Sequence, residues 1–111
     1  MSVEEEEEAT RAALVRYAEH GSDLSKPMTI DFFVAVPNDD AGRAVARAAV
    51  ALGFEVSVER DQMTMEWTCY CKKSLIPTFE AVIAIERQLD ALAKPHGGYA
   101  DGFGSFGNAA P

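Results

Sequence analysis

The sequence is poor in cysteine: Cys69 and Cys71 are the only two among 111 residues, and they stand two positions apart. So few cysteines exclude the disulfide framework of a small secreted domain. No apolar run approaches the roughly 20 residues that a membrane-spanning helix needs. The N-terminus is acidic, whereas a secretory signal would be basic and then apolar. We therefore expect a cytoplasmic protein with reduced thiols that binds no membrane.

Basic residues are also scarce, since Lys and Arg number 10 against 18 Asp and Glu, which gives a net charge of −8. The run Glu4–Glu8 holds a large share of the acids, so the rest of the chain is only mildly acidic. Nucleic-acid affinity comes largely from Lys and Arg that neutralise phosphates, so this balance disfavours direct binding of nucleic acid. It favours a basic protein partner, for which Glu4–Glu8 is either an acidic arm or simply a solvated helix start.

The residue types that usually carry catalysis or bind metal are sparse. His20 and His96 are the only histidines, and both fall at predicted helix ends, where an imidazolium suits the helix dipole. Cys69 and Cys71 supply two ligands where a zinc site takes four, and buried free cysteines are ordinary small apolar residues. The sequence contains no phosphate-binding loop and no nucleophile elbow. We expect no catalytic residue, no metal and no cofactor.

The sequence does contain a clear central strand at residues 28–36. Large apolar residues alternate there with mixed ones, as in a strand with one face in the core and one partly covered face. The apolar set is Met28, Ile30, Phe32, Val34 and Val36, and the mixed set is Thr29, Asp31, Phe33 and Ala35. Pro37 ends the run because proline has no N–H to give to a strand ladder.

Helical and strand patterns surround this strand in the order α, then β-α-β-β-α-β. Helices are predicted over residues 2–20, from 38 or 39 to 52, and 77–94, and strands over 28–36, 54–59, 64–72 and 99–106. The predicted fold is α+β, a ferredoxin-like split β-α-β two-layer sandwich with an extra N-terminal helix. One domain covers 1–106, with its β-α-β-β-α-β core in 28–106, and 107–111 is predicted to be a disordered tail.

Two further expectations follow from this order. The long crossover connections permit right-handed parallel pairing of the first strand with the third and with the fourth. In the third strand, Met65 and Trp67 alternate onto the same face as Cys69 and Cys71. This alternation predicts that Trp67 lies in the core, between the sheet and the second and third helices.

The open face of the sheet is the candidate partner-binding face. Asp31, Phe33, Glu66 and Tyr70 are expected to lie side by side there, because strands one and three are central neighbours. A carboxylate beside an aromatic ring can pair with Arg or Lys while packing against its apolar stem. The same face could stack bases, but the third strand lacks the basic-glycine-aromatic signature of such RNA-binding domains.

Two alternatives to a partner-binding protein remain open. Carboxylates on the open face, namely Asp31, Glu66 and Asp101, could perform acid–base chemistry in a pocket, which would make the chain a ferredoxin-like enzyme. Solvated strand carboxylates are the simpler interpretation. The second alternative is a homodimer in which two sheet faces pack on each other.

Segments at both ends of the chain resemble a known family. Gly21–Pro27 reads G-S-D-L-S-K-P before the first strand, and His96–Gly104 reads H-G-G-Y-A-D-G-F-G near the end. Together with Gly53–Val56 and Trp67, they are similar to the family of regulators of ribonuclease E activity, type B. The similarity runs from about Thr10 to Phe106. Gly98, Asp101, Gly102 and Phe103 match the closing motif, although Ala100 replaces its usual tyrosine and Phe103 its usual tryptophan.

This resemblance implies the split β-α-β sandwich and a non-catalytic, protein-binding role. Members associate with the C-terminal, non-catalytic region of ribonuclease E and inhibit RNA processing. The expected partner is therefore ribonuclease E or another basic RNA-binding protein, and the chain itself is a monomer or a homodimer. The family supplies no catalytic residues, so Gly98, Asp101, Gly102 and Phe103 are interpreted as residues that shape the last strand.

Overall fold

The computed structural model describes residues 2–109, in which three α-helices accompany one four-stranded sheet. α1 covers Val3–Glu19, β1 Met28–Val36, α2 Asp39–Ala51, β2 Glu55–Arg60, β3 Trp67–Leu75, α3 Phe79–Ala93 and β4 Tyr99–Gly104, with a 3₁₀ turn at Lys94–His96. None of the helices in residues 2–109 combines the length and apolar character needed to cross a membrane. The elements follow the predicted order, and the fold is α+β.

The sheet has the strand order β2-β3-β1-β4, and each neighbouring pair is antiparallel. β3 therefore lies between β1 and β2, as in a split β-α-β unit. The expected parallel pairing of the first strand with the third and the fourth is wrong. β1 is parallel to β2, but the β2–β3 hairpin turns the chain back, so the strand that comes to lie beside β1 is antiparallel to it.

Each helix begins at a side chain that accepts a hydrogen bond from a free backbone N–H. The hydroxyl of Ser2 accepts from the N–H of Glu5 at 3.2 Å and donates to the Glu5 carboxylate at 3.1 Å, so Ser2 caps α1. Asn38 caps α2 at 2.8 Å and Thr78 caps α3 at 3.1 Å. Such caps contribute about 1 kcal/mol each, and they define the residue at which each helix begins.

The core lies between the helices and one face of the sheet. Its buried side chains are Leu14, Met28, Ile30, Phe32, Val34, Val36, Ala41, Val45, Ala46, Ala49, Phe54, Cys69, Cys71, Val82, Leu89 and Ala93. All five predicted apolar positions of β1 are in this set. α2 lies close to the sheet because its contact residues are small, and a Cβ at Gly42 would lie only 2.7 Å from Cγ1 of Val58.

α1 packs beside α3 and reaches the core through Leu14. The hydroxyl of Thr10 is buried and donates to the Glu86 carboxylate at 2.6 Å, and Glu7 pairs with Arg87 one position along α3. Burial raises the pKa of Glu86, although the hydrogen bond from Thr10 opposes that shift. The N-terminal helix is thus part of the helical layer, with its acidic first turns directed along α3.

The start of β3 differs from the prediction. The strand begins at Trp67, and the residues before it form a tight turn around Asp61. The Oδ1 atom of Asp61 accepts hydrogen bonds from the N–H groups of Met63 and Thr64. The backbone of Asp61 accepts from the N–H of Met65 and donates to the carbonyl of Glu66. Met65 has a φ of 64° and is exposed, so it does not extend the apolar alternation. Trp67 is half-buried at the margin of the core, with the Arg60 guanidinium 5.9 Å from its ring centre.

Candidate functional site

The helices cover one face of the sheet and leave the other open. The side chains that share the open face are Thr29, Asp31, Phe33 and Ala35 of β1, Thr68, Tyr70 and Lys72 of β3, and Glu55, Ser57 and Glu59 of β2. Three of the four residues predicted for the partner-binding face, Asp31, Phe33 and Tyr70, are in this set. The alternation of β1 brings them there, because Ile30, Phe32 and Val34 must all enter the core.

An aromatic pair lies at the centre of the open face. Phe33 of β1 and Tyr70 of β3 are direct cross-strand neighbours, with ring centres 5.6 Å apart and an interplanar angle of 82°. Edge-to-face pairs of this kind contribute about 0.5–1.5 kcal/mol beyond their buried area. On the β4 side, Gly104 leaves room for the Phe33 ring, since a Cβ there would lie 3.1 Å from Cζ of Phe33.

Asp31 is a carboxylate with an unused acceptor. It lies opposite Lys72 on β3 and opposite Gly104 on β4, yet its Oδ1 atom is buried and has no hydrogen-bond partner within residues 2–109. Leaving a buried acceptor unpaired costs about 1–3 kcal/mol. A donor from a bound molecule would recover that cost, so Asp31 is the open-face residue with the clearest capacity to bind a further group.

Two shallow depressions flank the aromatic pair. One has a volume of about 320 Å³ and is lined by Thr29, Asp31, Phe33, Lys72, Gly104, Ser105, Phe106 and Gly107. The other has a volume of about 350 Å³ and is lined by Glu59, Arg60, Asp61, Thr64, Glu66, Thr68 and Tyr70. Phe33 borders the first depression and Tyr70 the second, so the ring pair forms the ridge between them.

Glu66 does not lie beside Asp31. It precedes β3 and borders the second depression with Tyr70, whereas Asp31 faces Lys72, six positions further along. At about 3.3 Å per residue, the two carboxylates are roughly 20 Å apart. Of the four residues predicted to lie side by side, Asp31, Phe33 and Tyr70 are neighbours, whereas Glu66 lies beyond Tyr70 and apart from Asp31.

The residues that match the closing motif lie just before β4, at Gly98, and within it, at Asp101, Gly102 and Phe103. A Cβ on Gly98 would lie 2.5 Å from the carbonyl oxygen of Ala35. Gly102 has a φ of 100° where the pairing with β1 shifts register, and exposed Asp101 precedes it in the same irregularity. Phe103 turns inward against the helical layer, where its ring centre lies 6.5 Å from that of Tyr17 and 6.0 Å from that of Phe32.

The two thiols lie on the opposite, buried face. Cys69 and Cys71 are fully buried, with their sulfur atoms 3.9 Å apart. The hydrogen bond with Cys69, together with burial, raises the pKa of the Cys71 thiol, which therefore stays protonated at neutral pH. Within residues 2–109, no group of three or more His, Cys, Asp or Glu side chains is arranged to hold a metal ion.

The segment after β4 borders the site, and the sequence did not predict this placement. Residues 107–111 were expected to be disordered, but the N–H of Gly107 donates to Ser105, and Asn108 is hydrogen-bonded to Ser22 and Asp23 in the loop before β1. Residues 110 and 111 lie outside the described part of the chain. Ser105 and Gly107 line the first depression beside Asp31. The sequence carried little signal for this, because the segment is short, glycine-containing and held by contacts more than 80 positions away.

The fold and this face define a small α+β domain with an uncovered, acidic and aromatic sheet surface. A comparison with protein-family models matches the family "Regulator of ribonuclease activity B" over residues 7–105. That match covers most of the chain, so the protein belongs to this family of ribonuclease regulators, as the resemblance indicated. No curated protein matches the sequence.

Proposed function

We propose that the protein is a non-catalytic regulator that inhibits RNA processing by binding a basic segment in the non-catalytic region of ribonuclease E. Membership of the family of ribonuclease regulators supports the regulatory role. A regulator of a ribonuclease works by contact with a protein, and RNA-binding tails of nucleases are rich in Arg and Lys. The cytoplasm is the proposed location of this contact.

The open sheet face is the surface that carries this proposal. Phe33 and Tyr70 give it an aromatic centre. The strand positions around them hold Asp31, Glu55 and Glu59 against Lys72, and the depression beside Tyr70 adds Asp61 and Glu66 against Arg60. An extended basic segment can lay its cationic groups against such carboxylates while its apolar stems cover the rings. Occupying a segment that otherwise binds RNA, or changing what assembles on it, would lower processing.

The acidic start of α1 has a different role in this proposal. Glu4, Glu5, Glu6 and Glu8 are exposed, while Glu7 is partly buried and paired with Arg87. Exposed charges of one sign raise the rate of encounter with a partner of opposite sign more than they hold it in place. The N-terminal glutamates therefore guide a basic segment towards the protein, and the sheet face retains it.

The direct test is a binding titration against the non-catalytic region of ribonuclease E. We expect Phe33→Ala to weaken binding by about 1–2 kcal/mol, as the loss of a central aromatic anchor does. Val50→Ala is the matched control, because Val50 is an exposed apolar residue of α2 in the helical layer. Removing residues 2–8 should mainly slow association.

Salt dependence adds a second measurement to the same titration. Affinity should fall as ionic strength rises, since attraction between exposed charges is screened over a Debye length of about 10 Å at 0.1 M salt. If Phe33→Ala binds as tightly as the wild type, the open face is not the binding surface. If neither wild type nor any variant binds that region, the proposed function is wrong.

A further inference from the structure

Phe106 is the most exposed large apolar residue in the described chain, and its position is unusual. Its side chain is fully exposed, at 108% of the reference value, and it follows the residues that match the family, which end at Ser105. It nevertheless borders the depression that holds Asp31 and Phe33. Exposed single apolar residues are common on proteins, so exposure alone assigns nothing to Phe106.

The backbone on both sides of Phe106 is fixed. The hydroxyl of Ser105 donates to the carbonyl of Thr29 at 2.6 Å and accepts from the N–H of Gly107 at 3.0 Å. Gly107 has a φ of 75°, and a Cβ there would clash with Oγ of Ser22. The chain is therefore tied to β1 before Phe106 and to the loop preceding β1 after it.

Asn108 forms the strongest part of this attachment. Its side-chain nitrogen lies 2.9, 3.3 and 3.1 Å from the carbonyl oxygens of Asp23, Lys26 and Pro27, so its two N–H groups are shared among three acceptors. Its side-chain oxygen accepts from the N–H of Asp23 at 2.7 Å, and its own N–H donates to Ser22 at 3.2 Å. These hydrogen bonds fix the backbone on both sides of Phe106, which lowers the entropy lost when a partner covers its ring.

We infer that Phe106 completes a subsite in which one arginine side chain of the partner binds, with its guanidinium on Asp31 and its plane against Phe33 and Phe106. This inference rests on the proposed function, which supplies the basic segment. Oδ1 of Asp31 has no hydrogen-bond partner within residues 2–109, and aromatic side chains border the depression that this carboxylate lines. Guanidinium suits both features, because it is planar, stacks on rings and donates in pairs to a carboxylate.

Lys72 also borders this depression, and its charge bears on the inference. Lys72 lies between Asp31 on β1 and Glu55 on β2 in the cross-strand pairing. No ion pair of Lys72 occurs within 4.0 Å among residues 2–109. Because its side chain is exposed and flexible, it can turn to Glu55 when Asp31 receives a cation. The local carboxylates outnumber it, so the subsite favours a cationic side chain over an anion.

The test compares two short labelled peptides, one alternating arginine with glycine and one alternating lysine with glycine. Wild type should bind the arginine peptide more tightly than the lysine peptide. Phe106→Ala should weaken binding of the arginine peptide about fivefold, the expected loss for one cation–π contact. Val50→Ala, which removes exposed apolar surface from the helical layer, should bind both peptides as wild type does.

Asn108 is a positioning residue in this inference, and a double-mutant cycle tests that role. Asn108→Ala should weaken binding of the arginine peptide. If Asn108 acts by positioning Phe106, the double variant should bind little more weakly than Phe106→Ala alone. Thermal unfolding of each variant checks that the fold is retained. We expect Phe106→Ala to keep the fold, because the Phe106 side chain is fully exposed.

Equal affinity of wild type and Phe106→Ala for the arginine peptide overturns the subsite, as does an absence of preference for arginine over lysine. Titration of the same variants with the non-catalytic region of ribonuclease E separates this failure from failure of the proposed function. If that region binds wild type and Phe106→Ala equally, the subsite is wrong and the function stands. If that region binds neither, both are wrong.

Discussion

Replacing Gly98, the residue just before β4, by alanine should destabilise the protein more than the same change at Gly104 within β4. The added Cβ would lie 2.5 Å from the carbonyl oxygen of Ala35, 3.2 Å from Cγ1 of Val36 and 3.3 Å from Cβ of Ala93. Carbon atoms in contact prefer a separation of about 3.5–4.0 Å. The closest of these atoms belongs to the backbone of the central strand, so it cannot rotate away, and β4 must move instead.

The expected cost is at the upper end of the range for overpacked sites, about 3 kcal/mol. That is a large share of a total stability of about 5–15 kcal/mol. With a urea m-value of about 1–3 kcal/mol per molar, the midpoint of unfolding should fall by about 1–3 M. Urea titration followed by far-ultraviolet circular dichroism measures this shift directly.

Gly104→Ala is the matched control for Gly98→Ala. The closest atom to its added Cβ would be Cζ of Phe33 at 3.1 Å, and that atom is the far end of a side chain that can tilt. The loss of stability should therefore be under about 1 kcal/mol, as for a tolerated volume change. Equal midpoints for Gly98→Ala and wild type would refute the reasoning, because the close approach of β4 to β1 would then not require glycine.

Two further predictions concern the helical layer and the buried face. Glu86→Gln should raise the midpoint of thermal unfolding at pH 7. Burial raises the pKa of Glu86, so the ionised carboxylate destabilises the folded state. The difference in midpoint between variant and wild type should close as pH falls towards 4.5, the ordinary pKa of a glutamate. A constant difference down to pH 4 would contradict this. Cys69 and Cys71 should react with a thiol reagent only as fast as the protein opens, since both are fully buried; rapid stoichiometric labelling of folded protein would contradict this.

The sequence was most informative where a local pattern had a single structural solution. β1 covers Met28–Val36 as predicted, since its alternation and the following Pro37 define both faces and the end of the strand. The starts of α1 and α2 also lie within one residue of the predicted positions, which were residue 2 and residue 38 or 39. In each case the decisive contacts lie within a few positions along the chain, so sequence reasoning could reach them.

Strand direction and the start of β3 were harder to predict for physical reasons. Alternation assigns a residue to a face but does not say which strand lies beside it or in which direction that strand runs, so it gave no signal against the parallel pairing that was expected for β1. The prediction also extended β3 back through Met65, because a methionine two positions before Trp67 fits the period. The turn depends instead on backbone hydrogen bonds to Asp61 and on a positive φ at Met65, which the period does not reveal.

The candidate site likewise contains residues that the sequence predicted and residues that it did not. Asp31, Phe33 and Tyr70 were predicted because they belong to the regular alternation of two paired strands. Asn108 was missed because its hydrogen bonds connect the end of the chain with a loop more than 80 positions earlier. Phe106 was missed because its place beside the depression depends on that attachment. An Asn that follows a glycine is a common turn residue, and only the folded chain shows that this one binds three carbonyls.

The central strand makes it possible to separate binding from folding by experiment. Ile30, Phe32 and Val34 are fully buried, and the positions between them, Asp31 and Phe33, face outward. Since β1 is hydrogen-bonded on both sides, to β3 and β4, a slip of one residue would exchange the two sets and is strongly opposed by the core. The outward residues are thus held by the most constrained strand of the sheet. Substitutions at Asp31 or Phe33 should change what the face binds while the buried set continues to hold the fold.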